Sequence, residues 1–210
     1  KPVLLDTIRY SFSDSNLQQL VQDHSDESFL KSGDPFSKSV ISLELSRLVS
    51  LFRNHGYLRF GREDLLAIWD TLDRSVLTPT LDPFEELFQI ERLKKRKENP
   101  KANLEWVLRD GIDPGKLTAY KVGTIMVLPD LEGDEKIQGG DTTFTDNLTV
   151  ISKRDLFKPQ ILEPNIYLHP GDLYDQRNFI KTLNRLNALG TWRLVNIDQL
   201  PRSGKDTTDF

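Results

Sequence analysis

Gly171-Asp172-Leu173-Tyr174-Asp175-Gln176 opens a pattern that this chain carries twice; the earlier copy is Gly33-Asp34-Pro35-Phe36-Ser37-Lys38. Each copy leads into an apolar-periodic run that closes on a glycine. The first closes as His55-Gly56-Tyr57-Leu58-Arg59-Phe60, the second as Leu189-Gly190-Thr191-Trp192-Arg193-Leu194. Counting back from the closing glycine, positions −4, −7 and −11 are Phe52, Val49 and Leu45 in one copy and Leu186, Leu183 and Phe179 in the other. That spacing places three apolar side chains on one helical face, so both runs are expected to be helices. Ser37 and Asp175 suit the N-cap positions. Phe36 with Ile41, and Tyr174 with Phe179, have the spacing of a hydrophobic staple. Gly56 and Gly190 suit the left-handed position just past a helix end, and Gly33 and Gly171 read as structural turns before it.

Outward from the helices, the residues after each closing glycine read as a second strand: Tyr57-Leu58-Arg59-Phe60 and Trp192-Arg193-Leu194-Val195-Asn196-Ile197. Upstream, Leu5-Asp6-Thr7-Ile8-Arg9-Tyr10 aligns with Val122-Gly123-Thr124-Ile125-Met126-Val127 as a first strand. Ile8 to Gly33 is 25 residues and Ile125 to Gly171 is 46, so the second copy carries 21 more, placed in an insertion at about 130–160. In the first copy, Leu65 to Trp69 extends the second strand or pairs with it. A further helix is expected from Asp82 to Lys97, within an insertion at about 74–100, and Leu104 to Leu108 reads as a closing strand. Gly111-Ile112-Asp113-Pro114-Gly115 reads as a linker, giving modules at 1–113 and 116–210. The second is expected to be truncated at its C-terminus, with its last strand missing.

Composition bounds the function. The chain has 210 residues, 28 basic against 32 acidic, no cysteine and one methionine. A net charge of −4 gives no broad positive field for phosphate backbones, so no nucleic-acid partner is expected. Without cysteine there is no disulfide, thiolate metal site or thiol nucleophile. An apolar share of 37% is lean for one large core and sufficient for two or three small ones. Lys1-Pro2-Val3-Leu4-Leu5 has no signal-peptide pattern, and the chain is expected to begin inside a longer gene product.

A helix opened by Gly-Asp-x-aromatic, closed by Gly-Tyr or Leu-Gly-x-Trp and followed by a strand resembles a POTRA domain, the periplasmic module of the BamA/TamA outer-membrane assembly family. Pro170-Gly171-Asp172-Leu173-Tyr174 with Thr182, Leu183, Leu186 and Leu189-Gly190-Thr191-Trp192 carries the closer match. Gly33-Asp34-Pro35-Phe36, Leu48 to Phe52 and Gly56-Tyr57 carry the other. The resemblance implies an α+β fold of two tandem modules, each ordered strand-helix-helix-strand-strand, with features that look TamA-like. It implies a non-enzymatic scaffold without cofactor at the periplasmic face of the outer membrane, in a full-length chain ending in a membrane β-barrel. Its implied partners are unfolded outer-membrane protein segments and accessory assembly proteins. The same module type in a two-partner secretion transporter is the neighbouring reading. A sheet edge accepts a further strand by β-augmentation. The resemblance points to the second strand of each unit, Tyr57, Leu58, Arg59 and Phe60, and Trp192, Arg193, Leu194, Val195, Asn196 and Ile197. Tyr57 and Trp192 either meet client side chains or pack their own cores.

Sharper chemistry finds little support. His24, His55 and His169 share no helical pairing, there is no G-x-S-x-G elbow, P-loop or dinucleotide fingerprint, and no metal is expected. Asp23 to Glu27 reads as a solvated loop, and the acids between Asp130 and Asp141 lack calcium-loop spacing. Lys94, Lys95 and Arg96 form a possible basic contact patch at a helix end. The reading from a different class is a hydrolase at the 131–147 insertion, which requires a pocket lined by His169 and converging acids.

Overall fold

The computed structural model describes residues 2–70, 100–130, 139–154 and 158–210. The chain divides into two compact units, Lys1–Leu51 with Gly61–Asp113, and Phe52–Phe60 with Pro114–Phe210. The first contains β1 (Leu4–Ser11), α1 (Ser15–Asp23), α2 (Lys38–Asn54, whose last turn groups with the second unit), β2 (Leu65–Asp70) and β3 (Lys101–Leu108). The sheet order is β1-β3-β2, with β3 parallel to β1 and antiparallel to β2. Along β3, Ala102, Leu104, Trp106 and Leu108 are buried while the residues between them are not. A period of two puts one face of the sheet against a core, which the buried Leu17 and Val21 of α1 and Leu48 of α2 complete. Asp14 starts α1 by accepting the N–H groups of Asn16 and Leu17, a cap that contributes about 1 kcal/mol.

The second unit contains β4 (Lys121–Val122), β5 (Met126–Val127), β6 (Asp141–Phe144), β7 (Thr149–Ser152), α3 (Pro159–Leu162), α4 (Gln176–Ala188), β8 (Leu200–Pro201) and β9 (Thr207–Asp209). Its sheet order β4-β9-β8 has the same strand senses as β1-β3-β2. The expected missing strand is therefore corrected. β9 holds the closing position, parallel to β4, and Phe210 donates its N–H to Thr124 O and accepts that of Met126.

The repeat extends to individual hydrogen bonds. Leu5 N–H donates to Asp34 O and Leu5 O accepts from Gly33; Val122 does the same with Asp172 and Gly171. Phe36 N–H reaches Val3 O as Tyr174 N–H reaches Tyr120 O. The Gly-Asp-x-aromatic sequence thus ties the entrance of the long helix to the first strand. Gly33 and Gly171 sit at φ of 91° and 92°, a region that disfavours any side chain. Asp175 caps α4, as its carboxylate accepts the N–H of Arg177.

The insertion is where the units differ. β6 and β7 form a hairpin, and β7 runs parallel to β5. Met126 N–H points to Phe210 O, whereas Ile125 O accepts from Thr149 N, so the two neighbours lie on opposite edges of the first strand. The second unit therefore fills with its own hairpin an edge that its counterpart β1 leaves without a strand among the described residues.

Two expected strands are corrected. Tyr57–Phe60 is a succession of turns: Leu58 N–H bonds Gly56 O, Phe60 N–H bonds Tyr57 O, and Arg53 Nε reaches Phe60 O at 2.6 Å. Three of its four side chains are buried, a density that a half-exposed strand would not produce. Trp192–Ile197 has no ladder partner among the described residues; Trp192, Val195 and Ile197 lean on the core of the second unit instead. The second strands are β2 and β8. The insertion at about 74–100 and the residues Lys94, Lys95 and Arg96 lie outside the described residues, apart from Pro100 at its end.

Gly56 and Gly171 make a test. Both have positive φ, but a Cβ at Gly56 would stand 2.8 Å from Leu173 Cδ1 and 3.2 Å from Ala119 Cα, whereas at Gly171 it would meet nothing. Gly171→Ala is expected to cost about 1 kcal/mol from backbone strain alone. Gly56→Ala should cost roughly 2–3 kcal/mol, since a backbone atom cannot move aside. Urea unfolding of the two variants checks the difference; equal losses would contradict the packing at Gly56.

Candidate functional site

The described sheet edges differ in what they offer. In an antiparallel pair, alternate residues bond the partner strand and the others turn their N–H and C=O outward. Arg109 N–H donates to Asp64 O, which sets the phase of the β2–β3 ladder. In the register of Leu66 with Val107 and Ile68 with Glu105, the residues facing away from β3 are Leu65, Ala67 and Trp69. Among the described residues no strand pairs with that side. Ile68 and Trp69 are 51% and 54% exposed, and Trp69 meets the ring of Phe36 edge-on at 5.8 Å. β2 thus presents a six-residue edge with aromatic and aliphatic surface at its end.

The edge of the second unit is poorer. β8 has two residues, and one of them, Pro201, has no N–H to donate. Arg202 beyond it is engaged by Asp209, at 2.7 Å from Nη2 to Oδ1. β6 is a four-residue edge, exposed throughout. Its hairpin is anchored where the Asp130 carboxylate accepts Ser152 Oγ and the N–H groups of Lys153 and Arg154. Burial pushes the Asp130 carboxyl up, but those donors outweigh it and hold it below the usual carboxylate range.

Of the residues expected at an edge, Tyr57, Leu58 and Phe60 are core, and Arg59 is exposed on a turn. Trp192 donates its indole N–H to Pro129 O at 2.6 Å and is held in its own unit, while Leu194 is 80% exposed. The second strand of the first unit begins at Leu65, eight residues after the expected Tyr57, because the apolar residues directly after Gly56 fold into turns. The signal that separates them is Gly61-Arg62-Glu63-Asp64, a turn in which Gly61 N–H bonds Asp64 Oδ2. His169 is exposed in the turn before Gly171. Among the described residues no group of three metal-ligating side chains forms, and no helix is long and apolar enough to cross a membrane.

No family model and no curated protein matches the sequence. Solved structures do match its fold. BamA from Haemophilus ducreyi lacking POTRA domains 1–3 aligns over 98% of this chain and 28% of its own, with 13% identity and a TM-score of 0.52. Haemophilus influenzae BamA POTRA3-5 aligns over 99% of this chain and 59% of its own, with 14% identity and a TM-score of 0.44. POTRA1-2 of Omp85 from Anabaena aligns over 100% and 94%, with 9% identity and a TM-score of 0.43. The chain thus spans 28% and 59% of the lengths of the two BamA chains, respectively. The fold is that of POTRA domains: α+β modules built on small mixed sheets.

Proposed function

We propose that this chain is the periplasmic scaffold region of an outer-membrane β-barrel assembly factor, holding extended segments of barrel precursors by adding a strand to β2. The observation that carries this reading is the side of β2 that pairs with no strand among the described residues, where the N–H and C=O groups of Leu65, Ala67 and Trp69 are directed outward beside the exposed Ile68 and Trp69. Main-chain bonds read little sequence and contribute roughly 0.5–1.5 kcal/mol net each. Offset by the cost of association, such an edge binds weakly and releases readily, as serving many barrel strands requires. The POTRA fold supports the setting: the periplasmic face of the outer membrane, with no catalysis and no cofactor. β8 offers two residues, one of them a proline, and the outer side of β1 is already bonded at Leu5 by Gly33 and Asp34, which leaves β2 as the principal edge among the described residues.

The test is an NMR titration of the labelled chain with a short peptide copied from an outer-membrane β-strand, alternating apolar and polar residues. Fast-exchange amide shifts along 65–70, with smaller ones relayed to 103–108, are expected. An absence of shifts at millimolar peptide, or shifts confined to β6 and β7, would sink the assignment to β2.

A further inference from the structure

On the second unit, away from its sheet edges, α4 and the segment before it enclose an open groove of about 620 Å³. Tyr167, Ile180 and Ala188 give it apolar surface, and Arg177, Lys181 and Arg185 line it with positive charge. The three cations stand four residues apart, so they form a row about 12 Å long on one face of the helix. α4 has thirteen residues and no Asp or Glu among them, on a chain of net charge −4. A merely solvated helix face usually mixes both signs.

Each cation is also held in place. Lys181 Nζ sits 3.8 Å from the centroid of the Tyr167 ring. Arg185 donates its Nε–H to Oδ1 of the buried Asn165 at 2.8 Å, and Asn165 is itself fixed by donating Nδ2–H to Ile161 O at 2.7 Å. Arg177 is clamped by Asp175, with Nη2 to Oδ2 at 2.6 Å. Arg177 is therefore largely neutralised, whereas Lys181 and Arg185 face the groove with their charge uncompensated among the described residues. Arg185 uses only its Nε–H in the described contacts, which leaves its outer nitrogens for an oxygen ligand.

We propose that this groove docks an acidic segment of a partner protein, with carboxylates on Lys181 and Arg185 and an apolar side chain against Ile180 and Tyr167. Guanidinium and ammonium groups fixed before binding lose little freedom when a carboxylate arrives, and the apolar floor selects a side chain as well as a charge. An anionic bilayer is the poorer occupant. Membrane attachment relies on clusters of about four to eight basic residues, and this groove offers two with free charge on an acidic chain.

The surface is independent of β2, and its test reads a different part of the molecule. The full labelled chain is titrated with a short acetylated peptide of glutamates around one tryptophan, with its glutamine counterpart, and with phosphatidylglycerol vesicles. Shifts on the α4 amides and on the Arg185 Nε–H are expected with the glutamate peptide, weakening several-fold as salt rises from about 0.05 to 0.3 M. Lys181→Glu with Arg185→Glu should weaken binding at least about tenfold, with the circular dichroism unchanged and only a modest drop in thermal midpoint from the lost bond to Asn165. Equal binding of the glutamine peptide, shifts away from α4, or vesicles engaging α4 where the peptide does not would each overturn the proposal.

Discussion

Ala67→Pro is expected to remove strand capture while leaving the first unit folded. In the phase set by Arg109 and Asp64, the N–H of Ala67 points away from β3, so no β2–β3 bond depends on it. Proline tolerates an edge strand when its ring replaces an outward N–H, and an extended residue before it is compatible. The substitution deletes the central outward donor and puts a ring where an incoming strand would lie. Affinity for the β-strand peptide should fall at least about tenfold, with stability in urea changed by about 1 kcal/mol or less. Ile68→Pro is the contrast. Ile68 lies opposite Glu105 at a bonded position, so proline there removes a ladder bond and should destabilise the unit clearly more. If Ala67→Pro binds peptide as well as the parent chain does, strand addition at β2 is wrong.

The second large effect lies in the core. Glu44 on α2 is fully buried, and its carboxylate accepts Tyr10 Oη at 2.7 Å, Phe29 N–H at 3.0 Å, and Arg47 through Nη2 at 2.7 Å and Nε at 3.1 Å. One charge thus joins α2 to β1 and to the loop after α1, with Arg47 also reaching His24 O. Glu44→Ala would leave a nearly buried guanidinium, a phenol and an amide without their acceptor. Removing one partner of a buried pair costs about 3–5 kcal/mol, a large share of the roughly 5–15 kcal/mol that holds a domain folded. Urea unfolding followed by tryptophan fluorescence should show it; a loss under about 1 kcal/mol would mean that the cluster is not buried as described.

The same cluster sets a pH dependence. Burial pushes the Glu44 carboxyl up, but Arg47, the Tyr10 hydroxyl and the Phe29 amide together outweigh it and hold it below the usual range. Burial also pushes the Tyr10 hydroxyl up to about 12, and this keeps it a donor at all working pH values. A carboxyl with a depressed folded pKa contributes stability that is complete above its unfolded value, about 4.3, and is lost as pH falls through the folded one. The stability gap between the parent chain and Glu44→Gln should therefore narrow below about pH 4.5. A gap constant down to pH 3 would contradict the ionised cluster.

Much of the architecture was legible because it rests on local chemistry. The glycine that tolerates positive φ, the aspartate cap at Asp175 and the apolar spacing of Phe52 and Val49 or Leu186 and Leu183 act within one helical turn. A repeat of such signals marks a repeat of fold, and the matching hydrogen bonds of Leu5 and Val122 bear this out. The edges were not legible. Tyr57-Leu58-Arg59-Phe60 and Leu65-Leu66-Ala67-Ile68 are both short apolar runs after a turn, and only the former has a helix arginine reaching its carbonyl. Nothing in the i, i+3 spacing of Glu44 and Arg47 marks the pair as buried, because Tyr10 and Phe29 approach from 34 and 15 residues away.

The sequence by itself determined the repeated Gly-Asp-x-aromatic entrance and the long helix with its closing glycine in each copy, since caps, glycines and periodicity act through near neighbours in the chain. Tertiary structure alone decided which strand edge stays unpaired among the described residues, where the insertion hairpin pairs, and that Lys181 and Arg185 face one groove. Each of these depends on the partner met across space by a hydrogen-bonding group or a charge. That partner can be 63 residues away, as Pro129 is from Trp192, or only 20, as Asn165 is from Arg185.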